Sequence, residues 1–177
     1  MKRVLCLLED GFEEIETVTP VDLLRRAGIE VVIAGVSGKY ATGKCGMCLQ
    51  VDGLLTDIEG VHFDALFLPG GPAVAELRSN DEVISLVRRF HTEGKTIAAI
   101  CAAPLLLLDA GLVEGLRMTG HFTIKEELPQ INGERVVIDG AIITSRGAGT
   151  ALEFGLTMVG ELVGKEIRED ISAAVMA

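Results

Sequence analysis

Cys101 stands at a joint in the chain. Before it, Thr96 to Ile100 is a short apolar run; after it, Pro104 opens a row of four leucines. A strand that turns at once into a helix, with a sulfur at the turn, has the layout of a nucleophile elbow, which lifts a side chain clear of the sheet edge. The N-terminus of the following helix would offer unpaired N–H groups and partial positive charge to a thiolate. Pro104 sacrifices no hydrogen bond in a first turn, and Ala99, Ala102 and Ala103 leave room for a substrate. The same position also suits a buried, inert cysteine, so other groups must decide between the two.

Three further segments carry candidate chemistry. In "LPGG", Gly70 and Gly71 follow an apolar run, so backbone N–H groups there can face a developing oxyanion without a side chain in the way. A plain tight turn would look the same. In "GFEEIETV", Glu13, Glu14 and Glu16 open a helix, where acids commonly complement the dipole. Glu16 lies between Ile15 and Val18 near the apolar face, and a half-buried carboxyl stays protonated and can pass a proton. His121, in a glycine-containing loop, is placed as a general base could be. His91 falls on a polar helix face, and His62 carries no signal.

Cys45 and Cys48 form a C-x-x-C in "GKCGMCLQVDG". A redox pair of this kind opens a helix, whereas this segment reads as extended between glycines, and a second pair for a zinc site is lacking. Both are read as structural or incidental thiols. Four cysteines in 177 residues do not suggest a secreted disulfide framework. The net charge of −10, without a Lys/Arg block, argues against nucleic acid and anionic membranes as partners. Mean hydropathy is +0.41, yet the longest apolar run, Ile97 to Leu108, falls short of the ~18 residues of a membrane span. Acid at Glu9 comes too early for a signal peptide, so a cytoplasmic protein is expected.

The elements that must position these groups alternate. Strands are expected at Arg3–Leu8, Glu30–Ala34, before the glycines of "DALFLPGG", at Thr96–Ile100, and near Arg135–Ile138 and Ile142–Ser145. Helices are expected at Glu14–Ala27 (with Ile15, Val18, Val21, Leu24 and Ala27 or Leu23 on the apolar face), 81–93, from Pro104, near Ile124–Leu128, and over 149–164. Residues 36–55 read as a hairpin excursion. No linker divides residues 1–177, which predicts one α/β domain: a doubly wound, mostly parallel, flavodoxin-like sheet with helices on both faces. Ligands in such folds sit beyond the carboxyl ends of the strands, where "LLEDGFEE", "LFLPGG" and "AAICAA" should converge.

Taken together, "GFEEIETVTPVDLLRRAGIEV", "DALFLPGG", "IAAICAAP" and "ITSRGAGTALEFGL" resemble the ThiJ/PfpI superfamily, in the branch of the parkinsonism-associated deglycase and its bacterial relatives. The likeness runs from Arg3 to about Lys165. It implies a reactive Cys101, a protonated Glu16 bonded to it, His121 nearby, and N–H groups of Gly70, Gly71 and Ala102 for the substrate oxyanion. It also implies a homodimer, with Arg25 and Arg26 near the interface. The activity implied is a glyoxalase or deglycase, without cofactor or metal, acting on methylglyoxal, glyoxal or early glycation adducts. The alternative is a stress sensor or chaperone that works through oxidation of Cys101. Peptidase activity is disfavoured, since Ala102 stands where the proteolytic branch has histidine. Ala148 and Phe122 replace prolines usual in the family, and Cys48 is an additional thiol.

Overall fold

The computed structural model describes residues 1–58 and 60–177. Its first half runs β1 (Arg3–Leu8), α1 (Glu14–Arg26), β2 (Glu30–Gly35), β3 (Tyr40–Thr42), β4 (Cys48–Gln50), β5 (Gly53–Leu54) and β6 (Ala65–Leu68). Then follow α2 (Ala73–Arg78), α3 (Asp81–Thr92), β7 (Thr96–Ile100), α4 (Pro104–Asp109), β8 (Val136–Asp139), β9 (Ile142–Ser145), α5 (Ala151–Val163) and α6 (Lys165–Ala174). Seven strands form one sheet in the order β5-β2-β1-β6-β7-β9-β8, and β3 pairs with β4 as a separate hairpin. All neighbours in the large sheet are parallel except β8 and β9. The expected doubly wound α/β fold is the one observed.

The strands are apolar on both faces because both faces are covered. Val4, Cys6, Phe67, Ala98, Ile100 and Ile143 pack in one core with Leu24, Phe154 and Met158 from α1 and α5. The alternate residues Leu5, Leu7, Leu66, Leu68, Ile97 and Ala99 pack in a second core with Leu77, Val87, Phe90 and Leu106 from α2, α3 and α4. Period-two alternation thus assigns each side chain to a layer. Asn80 caps α3 by accepting from the N–H groups of Glu82 and Val83 at 2.9 and 3.3 Å. Among the described residues no helix is long and apolar enough to cross a membrane.

One expectation about α1 fails in a way that matters for the site. Ile15 and Val18 are 55% and 41% exposed, while Glu16, Thr17, Pro20, Leu23 and Leu24 are buried. The buried stripe is therefore rotated by about one residue: Leu23 and Pro20 meet Gly155 of α5, and the same stripe carries Glu16 inward. Two helices have no counterpart in the sequence reading. One is the six-residue α2; the other is α6, which fully buries none of its residues and packs on the core only through the partly buried Ile171 and its C-cap Val175. The helix expected near Ile124–Leu128 is a short 3-10 turn over Phe122–Ile124.

Candidate active site

The sheet order reverses at β1, with β2 on one side and β6 on the other. The carboxyl ends of β1, β6 and β7 therefore open onto one crevice, where the loops carrying Glu16, Gly70 and Cys101 meet. The loops interlock through the backbone. Glu13 N–H donates to Gly70 O at 3.0 Å, and Ala73 N–H donates to Gly11 O at 3.2 Å. Glu13 caps α1, its Oε2 accepting from Glu16 N–H at 2.7 Å, which fixes the turn from which the Glu16 side chain projects.

Cys101 adopts φ +66°, left-handed backbone that costs a non-glycine residue about 1–3 kcal/mol. Both backbone arms are tied down: its N–H donates to Ser145 O at 2.8 Å, and its carbonyl accepts from His121 N–H at 2.8 Å. This is the nucleophile elbow expected at the joint. Ser145 itself is buried, its hydroxyl donating to Arg135 O and lying 2.6 Å from the hydroxyl of Thr150. The sequence reading did not single out Ser145 or Thr150. Their only signal was membership of "ITSRGAGT", since the contact with Cys101 spans strands far apart in the chain.

Gly70 is the wedge between the reactive groups. A Cβ there would collide with Glu16 Oε2 and lie 2.6 Å from Cys101 Cβ and 2.9 Å from Ile100 O. Gly71, at φ +99°, packs equally closely on the loop after β1, 2.7 Å separating its would-be Cβ from Glu13 N. The N–H groups of Gly71 and Ala102 face the Cys101 sulfur, whereas that of Gly70 faces the Glu16 carboxyl. Gly70→Ala is accordingly expected to push Glu16 and Cys101 apart, at a cost of about 1–3 kcal/mol for overpacking. Thermal melting of that variant beside wild type measures the loss.

The protonation of the pair follows from burial. Burial, with a smaller push from the Glu13 charge, raises the Glu16 carboxyl from 4.5 to about 7 against the lowering effects of Cys101, Lys44 and the Gly70 N–H. Its Oε2 is buried without a hydrogen-bond partner among the described residues. Burial and then the ionised Glu16 push the Cys101 thiol from 9.0 up to about 12, outweighing the Gly71 and Ala102 N–H groups. The helix-end stabilisation expected from sequence is thus present but overcome. Above about pH 7 the pair holds one proton, on sulfur or on carboxyl. When it sits on Glu16 the repulsion disappears, and a carboxylic acid donates toward a thiolate.

This pair links the site to stability. The folded state holds the Glu16 proton more tightly than the unfolded chain does, so the stabilising contribution is complete below about pH 4.5 and is lost as pH rises through about 7. Between pH 5 and 8 wild type should lose roughly 2–3 kcal/mol of unfolding free energy from this group. Urea denaturation at both pH values checks it, with Glu16→Gln expected to show a correspondingly smaller loss.

His121 lies beside the pair, at the rim. Its Nδ1 is 2.8 Å from Thr123 Oγ1 and accepts from Thr123 N–H at 3.4 Å, which puts the proton of a neutral ring on Nε2. The ring stacks on Phe122 at 4.3 Å between centroids, and its Cδ2 borders Gly147. Among the other candidates, Cys45 sits in the β3–β4 turn and Cys48 in β4; both are exposed and free, and neither opens a helix. Burial holds the Cys6 thiol far above its ordinary value. Among the described residues no three His, Cys, Asp or Glu side chains are grouped to hold a metal ion. Burial alone would raise Glu14, yet the N–H groups of Glu14, Cys45 and Met47 hold it below the ordinary range and bind the hairpin turn to α1.

Comparison with known proteins places the chain in a family. The chain is 37% identical over 182 residues to the DJ-1 homolog A of Arabidopsis thaliana, covering 99% of this chain and 46% of that relative, so it spans about half the plant protein. It is 34% identical over 151 residues to a deglycase of Thermococcus kodakarensis, covering 83% of this chain and 91% of the relative. The crystal structure of Drosophila melanogaster DJ-1beta superposes with a TM-score of 0.95 at 35% identity, covering 99% and 98% of the two chains. Residues 2–161 match the DJ-1/PfpI family, and with relatives at this level of identity the chain belongs to that family.

Proposed function

We propose that the protein converts 2-oxoaldehydes such as methylglyoxal and glyoxal, together with their early adducts on amines and thiols, into 2-hydroxy acids, with Cys101 as nucleophile and no cofactor. The observation that carries this reading is Cys101 on its left-handed elbow beside the buried Glu16 carboxyl, with Gly70 wedged against both and the N–H groups of Gly71 and Ala102 facing the sulfur. A proton moves from the thiol to Glu16, and the thiolate attacks the aldehyde carbon. The C=O π bond breaks onto oxygen, where the N–H groups of Gly71 and Ala102 meet the oxyanion until Glu16 returns its proton. Glu16 then accepts the C1 proton and delivers it to C2 through an enediol, while His121 Nε2 gives its proton to the C2 oxygen and takes up that of the C1 hydroxyl, so that C1 becomes the thioester carbonyl and C2 the carbinol. The resulting thioester is cleaved by water, which releases the 2-hydroxy acid and regenerates the thiol. Carbon is oxidised at C1 and reduced at C2, so only water is consumed.

Relatives named deglycases support the adduct half of this reading. Proton NMR of the purified protein with methylglyoxal alone should show lactate accumulating, and in D2O deuterium at C2 would report exchange of the enediol proton. No lactate above the protein-free rate would sink the proposal. Oxidation of the same sulfur by peroxide, as a stress signal, would draw on the same donors to hold a sulfinate. Mass spectrometry after mild peroxide separates this reading, which is lost if Cys45 and Cys48 oxidise while Cys101 does not.

The exposed Ile15 and Val18 on α1 and Met47 on the hairpin turn, held together through Glu14 and the Cys45 N–H, present an apolar face suited to a second copy. Light scattering should therefore give a mass twice the 18.8 kDa of the chain. A monomer at micromolar concentration would refute the dimer.

A further inference from the structure

A cavity of about 610 Å³ opens beside His121, between the 120–125 segment, residues 131–133 and the 146–150 loop. Gly147 lines it and packs between the His121 ring and the Glu16 carboxyl, so its inner wall is the outer wall of the reactive pair. That volume lies in the range of about 300–1,000 Å³ that holds drug-sized ligands, far more than a three-carbon dicarbonyl fills. The floor is apolar, with buried Ile131 and with Phe122, which is 77% exposed.

Its charge is anomalous for this protein. In a chain of net charge −10, the charged residues lining the cavity are Lys125 and Arg146, with no acid in the lining among the described residues. Neither cation is within 4.0 Å of a carboxylate among the described residues. Of the acids nearest in sequence, Glu127 is engaged by Arg78, Glu134 is held by the cavity-lining Asn132, and Glu126 is exposed beside Lys125 in the chain. Arg146 spends one donor on Gly133 O at 3.2 Å and keeps the rest of its fork. Two unpaired cations over an apolar floor, one wall away from a nucleophile, form a receptor for an anion on an organic body.

We propose that this cavity is a subsite for the distal end of the substrate, and that the preferred substrates are adducts of 2-oxoaldehydes whose far end carries a carboxylate held by Lys125 and Arg146. The substrate class rests on the reading of Cys101 given above; the anion subsite does not.

The test is binding without turnover. Cys101→Ala protein is titrated, with NMR detection, against S-lactoyl-N-acetylcysteine and against its neutral counterpart S-lactoyl-N-acetylcysteinamide. The acid should bind at least tenfold more tightly, shift resonances of Lys125 and Arg146, and lose its advantage at high salt. Lys125→Gln, whose side chain makes no hydrogen bond among the described residues, should reduce the ratio about threefold. Lys125→Gln with Arg146→Gln should bring it near one. Equal affinities in the Cys101→Ala protein, or a ratio that survives the double substitution, would overturn the subsite. Failure of wild type to make lactate would instead overturn the catalytic reading, and the binding ratio would still be read.

Discussion

Cys101→Ala is expected to slow lactate formation from methylglyoxal by a factor on the order of 10³ or more. The sulfur is the atom that makes the bond, and the remaining donors have no covalent intermediate to stabilise. The substitution is nearly silent for the fold. Alanine inherits the same left-handed strain, and the ties to Ser145 and His121 are made by the backbone. Melting temperature should therefore stay within a few degrees of wild type while turnover vanishes. Full lactate production by the variant would show that the carbonyl is attacked by water or by another group.

Glu16→Gln should be the next most damaging change, lowering kcat by about 10²- to 10⁴-fold. Glutamine keeps the shape and can point an N–H at the sulfur, but it cannot take the thiol proton or carry one from C1 to C2. The pH profile distinguishes this role from simple disturbance of packing. In wild type the pair passes from two protons to one as pH rises through about 7, so the rate should rise through that point and then level. With glutamine the ionised neighbour is gone. The thiol then titrates alone, lower than in wild type but above 7, because burial is its leading cause of elevation. The rising limb should move to higher pH and its plateau should fall. A retained limb near 7 would assign that titration to another group.

The sheet and the elbow were legible because both rest on local pattern: five-residue apolar runs, a proline in a first turn, glycines after strands. The apolar spacing of α1 points to Glu16 through Ile15 and Val18, yet Glu16 is buried because α1 turns Pro20 and Leu23 inward and leaves those two outside. The supporting hydroxyls of Ser145 and Thr150 were invisible, since parallel pairing of β7 with β9 joins residues more than forty positions apart. Protonation was only half legible. Helix-end donors can be read from a turn, but the burial that overwhelms them exists only once Gly70 has closed the three loops together. The short α2 escaped because six residues are too few for an apolar period to register, and α6 because its stripe of Ile167, Ile171 and Val175 is sparse and partly exposed.

The left-handed backbone at Cys101 sets the fold and the chemistry in opposition. Glycine is the residue that this conformation would choose, as the chain does at nearly every other such position. Random substitution followed by selection for stability alone would therefore carry position 101 toward glycine. Keeping a sulfur there requires continual selection for what the sulfur does. A lineage of this architecture released from its chemistry should reveal the release first at this joint, by gaining stability as it falls silent.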